Sequence, residues 1–563
     1  MKRIFVSLLI AASAVGGTVP AVAQSYGRLG SSGYFRRGGS DVVDIRTGYP
    51  GRLADRIGEQ EMRHARMVII EGDINGDDIN VLRKLCSRTN CYDNSDRSVD
   101  NYVDLDLSRA RIVSGGYYNS GKRTTRDEIG EYMFASCGAL RSIVLPEWTT
   151  NIRRNAFYFC SKLEDVMMPR GVRAIEDNAF YSCRELRRID LPEGIERIGG
   201  EAFSGCSNLP EVYLPSTLRE IGTEAFRGCP FKRIALPAGL ESLGHSALSN
   251  TKITQLLIPS RCKLEGAIGY TPSLTRIDVE PGNALYISED GILYSDEGRT
   301  LRNYPTGRGG DVKVPEGVTR IGAFAFENSR AVSVYLPESC TSIGKGAFQH
   351  CGSMATISFG EALTSIDEKA FYDCGALTSF ALPEGMTAVK NSMFKECKRL
   401  MKVELPKSIT DIEQDAFRDC AVLREINLEE GLLTIGKEAF RGCKALDNVV
   451  VPSTVKTLSF KAFNECKNLT SITLKEGLKV IEESALDNCN LLSIDIPASV
   501  QVIDKKIIDK NKNMQKIIVR ATTPPALKSD SEKKVPLYVP AQSVDLYKTT
   551  KPWKNYKNIL PLE

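Results

Sequence analysis

A repeat of 22 or 23 residues runs through most of this 563-residue chain and limits the folds that it can adopt. An Ala-Phe pair or its equivalent marks each copy, at Phe134, Phe157, Phe180, Phe203, Phe226, Phe326, Phe348, Phe371, Phe394, Phe417, Phe440 and Phe463. Leu248, Leu486 and Ile508 take the same place in three further copies, which brings the count to 15. A unit this short cannot bury its own apolar face. Neighbouring copies must therefore stack, and the sequence predicts a solenoid.

Each copy divides into two short extended segments and a turn. The pattern Leu-x-x-Ile-x-Leu-Pro predicts a strand that ends at proline, because proline has no N–H for the next ladder bond. Ile-Gly predicts a second extended segment with a tight turn, and Ala-Phe-x-x-Cys is compatible with a single helical turn. In one copy these positions are Leu186, Ile189, Leu191, Pro192, Ile198, Gly199, Ala202, Phe203 and Cys206.

These recurring motifs resemble the BspA type of leucine-rich repeat, found in bacterial surface and secreted proteins, especially of the Bacteroidetes. The resemblance covers roughly residues 126 to 522. It implies an α/β fold, a right-handed leucine-rich repeat solenoid of 23-residue coils with a parallel β-sheet on its concave side and short helical turns. At ~4.8 Å for each stacked strand, 15 coils would extend for about 70 Å. Adhesion is the function that the resemblance implies.

The first residues predict export. Lys2 and Arg3 precede an apolar run over 4–15, and small residues before Gln24 predict cleavage between Ala23 and Gln24. A membrane anchor is the alternative, but the run is shorter than the ~20 apolar residues that a spanning helix needs. No second apolar segment follows, so we expect no transmembrane segment and a secreted, cell-surface or periplasmic location.

The flanking regions and one interruption complete the predicted organisation. Residues 24 to about 50 are rich in Gly, Ser and Arg and predict a mobile arm. Strands at 67–70 and 103–108 around a helix at 77–85 predict an N-terminal cap, and Asp-Gly and Glu-Gly turns within 280–305 predict a β-hairpin insertion. The predicted segments are a signal peptide 1–23, arm and cap 24–125, repeats 126–262, insertion 263–310, repeats 311–522 and C-terminal cap 523–563.

Sixteen cysteines in an exported chain first suggest disulfides. Twelve of them fall three residues after the repeat anchor, however, and so occupy one recurring core position. Buried thiols are therefore predicted, with metal ligation or disulfides between coils as alternatives. Cys86 and Cys91 lie outside the repeat and are the candidate disulfide.

Motifs for catalysis or cofactors are missing from the sequence. No G-x-S-x-G, H-E-x-x-H, phosphate-binding loop or C-x-x-C occurs, and the net charge of +4 does not indicate nucleic-acid binding. His350-Cys351 could form a nucleophile pair, but its place in the repeat favours a turn residue beside a core residue. Residues 73–77 resemble the start of a calcium loop, but its later ligands are missing, which favours a helix-capping turn. The prediction is a protein that is not an enzyme, with no cofactor and no metal site.

Outward residues of the concave strands are where specificity could reside, because packing constrains only the inward ones. The predicted binding residues are Arg188, Asp190, Glu211, Tyr213, Arg233 and Tyr335. The leading hypothesis is an exported recognition or adhesion module that binds a protein or glycan there. A scaffold that presents its insertion or its ends is the alternative, and a hydrolase that uses surface carboxylates is a third.

Overall fold

The computed structural model describes residues 41–87, 102–508, 510–528 and 534–562. The predicted signal peptide 1–23, its cleavage site between Ala23 and Gln24, and Cys91 lie outside the described residues. Parallel strands stack along the chain as a solenoid, which confirms the predicted fold class. The handedness and the concave side implied by the resemblance stay predictions.

One series of strands, here called the first sheet, comes from the Leu-x-x-Ile-x-Leu segments and their N- and C-terminal extensions. Its inward residues are buried and its outward residues are mostly exposed, as in Lys402–Glu404. Its strands form several hydrogen-bonded groups. They are Val42–Arg46, Met67–Ile74, Val103–Ile112, Leu140–Val144, Asp165–Met167, Arg188–Ile189, Gln255–Ile258, Arg276–Val279, Gly309–Lys313, Arg330–Tyr335, Thr356–Ser358, Ser379–Ala381, Lys402–Glu404, Glu425–Ile426, Asn448–Val451, Ser471–Leu474, Ser493–Ile496, Lys516–Val519, Leu537–Pro540 and Ile559–Leu562.

The second sheet is built from the Ile-Gly segments, and most of its strands are two residues long. Glycine after the Ile lets neighbouring backbones approach closely, since a Cβ at Gly222 would lie 2.5 Å from the Gly200 nitrogen. The strands are Glu128–Ile129, Asn151–Ile152, Ala174–Ile175, Arg197–Ile198, Glu220–Ile221, Ser242–Leu243, Lys263–Leu264, Thr300–Asn303, Arg320–Ile321, Ser342–Ile343, Ser365–Ile366, Ala388–Val389, Asp411–Ile412, Thr434–Ile435, Thr457–Leu458, Val480–Ile481, Val502–Ile503 and Ala526–Leu527.

The Ala-Phe segments form a third face of each coil, here called the turn face. The helical turn expected there takes the form of successive tight turns, such as the 3.2 Å bond from the Cys137 nitrogen to the Phe134 oxygen. Residues two before and two after each anchor have positive φ, and this also holds around Leu248, Leu486 and Ile508. These three residues are therefore anchors, as predicted.

The core is a continuous stack of identical side chains. Consecutive anchor rings lie 4.9–5.5 Å apart and nearly parallel from Phe134 to Phe226 and again from Phe326 to Phe463. The predicted core cysteines are buried, and each thiol from Cys160 onward in the anchor series donates to the carbonyl of the Phe in the preceding coil, as Cys206 does to Phe180 at 3.2 Å. The repeated cysteine thus satisfies a buried carbonyl.

The N-terminal region corrects one boundary. The mobile arm was expected to reach about residue 50, but Val42–Arg46 pairs in parallel with Met67–Ile74 as an edge strand. Val43 and Ile45 are buried there, because alternate residues of the strand face the core. The expected cap strands and helix are present, and Val103–Ile112 joins them to the first coil through Leu140–Val144.

The segment that resembled a calcium loop is a helix cap. Asn75 caps the helix Gly76–Cys86 by accepting from the Asp77 nitrogen at 3.0 Å. The buried Asp78 carboxylate accepts from three backbone N–H groups, those of Gly51 at 2.6 Å, Leu53 at 2.8 Å and Asn75 at 2.9 Å. These oxygens are occupied by the chain itself, which supports the capping interpretation.

The predicted β-hairpin is present, whereas the bounds 263–310 given to the insertion stay a prediction. Tyr286–Glu289 and Ile292–Ser295 pair antiparallel around a turn in which Asp290 and Gly291 both have positive φ. Leu293 belongs to the core of the first repeat block, whereas its neighbours Ile292 and Tyr294 belong to the core of the second. The hairpin therefore closes two adjoining cores with opposite faces of one strand.

Short helices and a small hairpin complete the described chain. The buried Trp553 donates from its indole nitrogen to the Pro525 oxygen at 2.8 Å, which holds the C-terminal segment against the last coils. Among the described residues, no helix has the length and apolar character needed to cross a membrane. The remaining elements are the α-helices Glu59–His64 and Val544–Thr549, the 3-10 helices Leu53–Asp55, Asp296–Gly298, Ala541–Ser543 and Trp553–Asn555, and the paired strands Gly115–Tyr118 and Lys122–Thr124.

Candidate binding surface

The first sheet is interrupted where most of the predicted binding residues lie. In earlier coils one backbone N–H donates to the coil before, as from Arg187 to the Glu164 oxygen at 2.9 Å. Pro210 occupies the equivalent position and has no N–H to donate. Residues 210–214 and 231–236 are accordingly not strands, although the second sheet continues without a break beside them.

Tyr213 is the most exposed large apolar side chain at this interruption, with 75% of its surface accessible. Its hydroxyl is 3.4 Å from a Glu211 carboxylate oxygen, which is a weak restraint. The equivalent residue of the next coil is Ala235, so the ring has a small neighbour on that side. An aromatic ring with a polar tip, open on several sides, suits contact with a macromolecule.

Two cations accompany this tyrosine. Lys232 and Arg233 are both exposed, and neither forms an ion pair within the described part of the chain. Lys232 was not among the predicted binding residues, because it precedes the outward position that Arg233 occupies. These cations can attract a carboxylate of a partner without first breaking an internal ion pair.

Arg188 and Asp190 differ from this group because they bind each other. The Arg188 guanidinium contacts both carboxylate oxygens of Asp190, at 2.6 and 3.2 Å. Asp165 lies on the preceding coil, and its pKa is raised by burial although Arg188 acts in the opposite direction. The pair is exposed and contributes little stability by itself.

The structure brings five of the six predicted residues onto neighbouring coils and separates the sixth. Tyr335 lies on Arg330–Tyr335 at the same outward position as Tyr213, beyond the hairpin insertion. At least five strand spacings separate the two tyrosines, a distance of about 24 Å at the usual spacing of stacked strands. Exposed Met167 and Leu257 occupy this same outward position closer to Tyr213.

The residues weighed for nucleophilic chemistry point apart. His350 Nδ1 lies 3.0 Å from an Asp373 carboxylate oxygen, and the Cys351 thiol donates to the Phe326 carbonyl at 2.9 Å in the core. Burial raises the pKa of Cys351 to about 12, which keeps the thiol protonated at neutral pH. Across the described ranges, no group of three His, Cys, Asp or Glu side chains is placed to hold a metal ion.

The proposed disulfide between Cys86 and Cys91 stays a prediction, since Cys91 lies outside the described residues. Cys86 is buried at the end of its helix and contacts Cys137 of the first coil. This contact, together with Arg83, lowers the pKa of the Cys137 thiol.

Comparison with known proteins agrees with this architecture. The family model described as "BspA type Leucine rich repeat region (6 copies)" matches residues 127–254, 208–282, 310–422 and 387–515, more than half of the chain. No curated protein sequence matches the chain significantly.

Among solved structures, the chain is similar to a leucine-rich cell surface protein from Faecalibacterium prausnitzii, with 25% identity, coverage of 66% of this chain and 87% of the other, and a TM-score of 0.46. A leucine-rich repeat protein from Bacteroides ovatus has 20% identity, coverage of 83% and 94%, and a TM-score of 0.37. The pneumococcal vaccine antigen PcpA has 19% identity, coverage of 82% and 90%, and a TM-score of 0.39.

Proposed function

The chain belongs to the BspA-type leucine-rich repeat family, and from this we propose that it is an exported, non-enzymatic recognition module that binds a protein partner. The binding site is the outward surface of the first sheet from Asp165 to Leu257. The observation that carries this proposal is the exposed Tyr213, set at a break in the sheet beside two unpaired cations. The predicted signal peptide, residues 1–23, favours a partner outside the cytoplasm.

The shape and chemistry of the surface favour a protein over a small ligand. From Asp165 to Leu257 it crosses five coils, about 19 Å at the usual strand spacing. Met167, Tyr213 and Leu257 supply apolar contact area along this line. Lys232 and Arg233 add positive charge at one point, so the partner should offer a carboxylate there.

Catalysis is not proposed, for a physical reason. Coils contact only their neighbours, so residues from distant coils do not meet in a closed cavity. Asp165 is partly buried, but Asp190 and Glu211 of the proposed surface are exposed, and Asp190 pairs with Arg188. Such groups lack the enclosed environment that prepares a general acid or base.

A pull-down tests this surface. The exported form of the chain is immobilised and presented with extracts of host and bacterial surfaces, and bound proteins are quantified by mass spectrometry. A specific partner should bind Tyr213→Ala about 30-fold more weakly, in line with the ~2 kcal/mol of an interface hot spot. Lys232→Glu and Arg233→Glu should also weaken binding, and their effect should be larger at low salt than at high salt.

Arg197→Ala, on the second sheet, is the matched control, since its exposed guanidinium is paired with Glu220 away from the proposed surface. We expect it to change the affinity by less than about threefold. Binding that is unaffected by Tyr213→Ala and by both charge reversals would place the partner elsewhere.

A second candidate is a scaffold that presents its insertion. Leu285 and Ile287 are both nearly half exposed at the hairpin, which gives this alternative a specific surface. Deleting the hairpin would expose both cores, because Leu293 and Tyr294 are buried in them. The double variant Leu285→Ser, Ile287→Ser instead leaves the fold intact. If this double variant abolishes partner binding and the variants of the first sheet do not, the scaffold hypothesis is favoured.

A further inference from the structure

One row of surface positions carries almost only positive charge. The row, here called the edge row, consists of the two residues that follow the core cysteine of each coil, or that follow Thr251, Ser329 and Asn511, which take the place of the cysteine in three coils. Cations and carboxylates are nearly balanced over the whole chain, at 74 and 70. In the edge row of the 15 coils, nine cations stand against one carboxylate, that of Glu185. The nine cations are Lys162, Arg184, Lys252, Arg330, Lys398, Arg399, Lys444, Lys467 and Lys512.

These nine cations have no internal partners. All of them are exposed, and none forms an ion pair or a side-chain hydrogen bond within the described part of the chain. Other rows of the same solenoid pair opposite charges from one coil to the next, as Lys345 does with Glu368 at 2.6 Å and Lys390 with Glu413 at 3.1 Å. The edge row therefore differs from the rest of the surface both in the sign of its charges and in their lack of pairing.

The cations are closest together in the second repeat block. Lys444 and Lys467 lie in adjacent coils, and the residue after Lys467 donates its backbone N–H to the Lys444 oxygen at 3.2 Å. Lys398 and Arg399 lie two coils before Lys444, and Lys512 lies two coils after Lys467. From Lys398 to Lys512 the row crosses five coil intervals, about 24 Å at the usual spacing of stacked strands. Like charges in adjacent coils repel, so stacking does not explain why they are there.

Carboxylates of the adjoining turn face do not neutralise this charge, because they have partners of their own. Glu396 accepts from the Tyr372 hydroxyl at 3.1 Å, and Glu465 is paired with Arg441 at 3.2 Å. Each of the two glutamates precedes an edge-row lysine by two residues. The cations of the row can therefore attract an external anion without first breaking an ion pair of the chain.

The other members of the row favour an extended polymer over a folded protein or a nucleic acid. Between 398 and 513 the row contains no aromatic residue, and its exposed neutral positions include the amides of Asn468 and Asn513. Asn513 donates to the Asn490 amide oxygen at 2.7 Å, so amides continue the row from coil to coil. Protein interfaces usually rely on aromatic anchors, and single-stranded nucleic acids on rings that stack with the bases. The row offers charge and hydrogen bonds instead.

We propose that the edge row of the second repeat block binds an acidic polysaccharide, a linear polymer with carboxylate or sulfate groups along its length. The polymer lies along the row, so that successive anionic groups meet the cations of successive coils while its hydroxyls exchange hydrogen bonds with the amides. An anionic membrane fits less well, because a plane resting on the row would also approach the carboxylates of the turn face. The site is separate from the protein-binding surface proposed on the first sheet and does not depend on it. Its cations are Lys398, Arg399, Lys444, Lys467 and Lys512.

Isothermal titration calorimetry on residues 24–563 tests the proposal. The acidic probes are polygalacturonate, which carries carboxylates, and heparin, which also carries sulfates. Dextran is the neutral comparison, and single-stranded DNA and vesicles with anionic lipid are the other anionic surfaces. At least one acidic polysaccharide should bind more tightly than the DNA and the vesicles, and dextran should not bind. The affinity should fall steeply as salt rises from about 50 to 200 mM, because bound counterions are released from a polyanion.

A pair of double variants separates the edge row from the overall charge. Lys444→Glu with Lys467→Glu should weaken binding about tenfold or more at ~0.15 M salt and should make the dependence of log affinity on log salt less steep by about 1 to 2. Lys407→Glu with Lys479→Glu is the matched control, since these lysines are also exposed, have no ion pair among the described residues and lie outside the edge row. Screening limits the reach of such charges to about 8 Å, so the control should change the affinity less than twofold. None of the four lysines loses an internal partner, so both melting temperatures should be unchanged.

Three results would overturn the proposal. They are no binding of either acidic polysaccharide, equal weakening by the two double variants, or tighter binding of the DNA or the vesicles than of both polysaccharides. Polysaccharide binding that persists in Tyr213→Ala while the protein partner is lost would separate this site from the one on the first sheet. A protein partner that is lost with the edge-row variant, in a chain that binds neither polysaccharide, would assign the row to protein recognition instead.

Discussion

Replacing one central anchor tests whether the ring stack holds the solenoid together. Phe203 is fully buried, and its ring lies 5.2 Å from Phe180 and 5.4 Å from Phe226. Burying such a side chain is worth ~1.5–3 kcal/mol, and each stacked ring adds ~0.5–1.5 kcal/mol. The cavity left by alanine adds to the loss. Phe203→Ala should therefore lower the free energy of unfolding by ~3–5 kcal/mol, in the upper part of that range.

Urea denaturation followed by circular dichroism measures this loss, and hydrogen exchange shows where it acts. A solenoid can open locally, so exchange should rise most in the coils that carry Phe180 and Phe226. Phe463→Ala is the matched comparison, because its ring stacks on Phe440 alone and faces Leu486 on the other side. It should lose ~1 kcal/mol less than Phe203→Ala.

Phe203→Leu provides the conservative variant, since leucine is the natural anchor at 248 and 486. It keeps an apolar side chain in the core but loses both ring stacks, so it should cost ~1–3 kcal/mol, less than Phe203→Ala. A loss below ~1 kcal/mol for Phe203→Ala, or equal losses for Phe203→Ala and Phe463→Ala, would refute the account of stability by stacking from coil to coil.

Three further outcomes follow from the buried polar groups. Alkylation of the unfolded, unreduced protein should find at least twelve free thiols, and four or fewer would make the chain a disulfide scaffold instead. Burial raises the pKa of anchor-series thiols such as Cys206, to about 12 from 9.0, so their stabilisation is complete below pH 9 and is lost as the pH rises above it. The free energy of unfolding should fall by about 1 kcal/mol for each such thiol from pH 9 to 10, a decline that a matched Cys206→Ala variant should reduce. Asp78→Ala leaves three backbone N–H groups, one buried and two partly buried, without their acceptor and should cost ~3 kcal/mol in urea denaturation. This is more than Asp77→Ala should cost, because that variant loses mainly the exposed bond from the Tyr117 nitrogen.

Stacking explains why so much of the fold could be predicted from the sequence. A core position in one coil is lined by the same position in the next, so the side chain must recur, and even the substituted anchors Leu248 and Ile508 keep the register. The strand Val42–Arg46 was missed because its alternation of buried and exposed residues covers only five positions and follows a stretch rich in Gly and Arg. Tyr304 extends the second ring stack, 4.8 Å from Phe326, and its spacing of 22 residues was the available signal.

The candidate site was less predictable, because outward residues have no partner in the next coil that constrains them. The sequence could assign Tyr213 to the outward surface, but it could not show that the side chain is three-quarters exposed at a break in the sheet. The sequence also could not show that Arg188 forms an ion pair with Asp190 whereas Arg233 forms none among the described residues, since side-chain pairing depends on local geometry. Tyr335 occupies the same position of the repeat as Tyr213, so the sequence pattern treats the two as equivalent. Only the structure shows how many stacked strands lie between Tyr335 and the other predicted binding residues.

In such a chain, departures from the repeat are better guides to function than the repeat itself. A buried residue that matches its counterparts is explained by stacking, so it carries no separate information about a ligand. Pro210 ends a ladder that resumes only at Gln255–Ile258, and Phe159 places an exposed ring where the adjacent coils place serine. Each departure weakens the local structure and at the same time opens an aromatic surface. A solenoid can tolerate such losses because each one is confined to the adjacent coils, while the remaining coils keep the body folded.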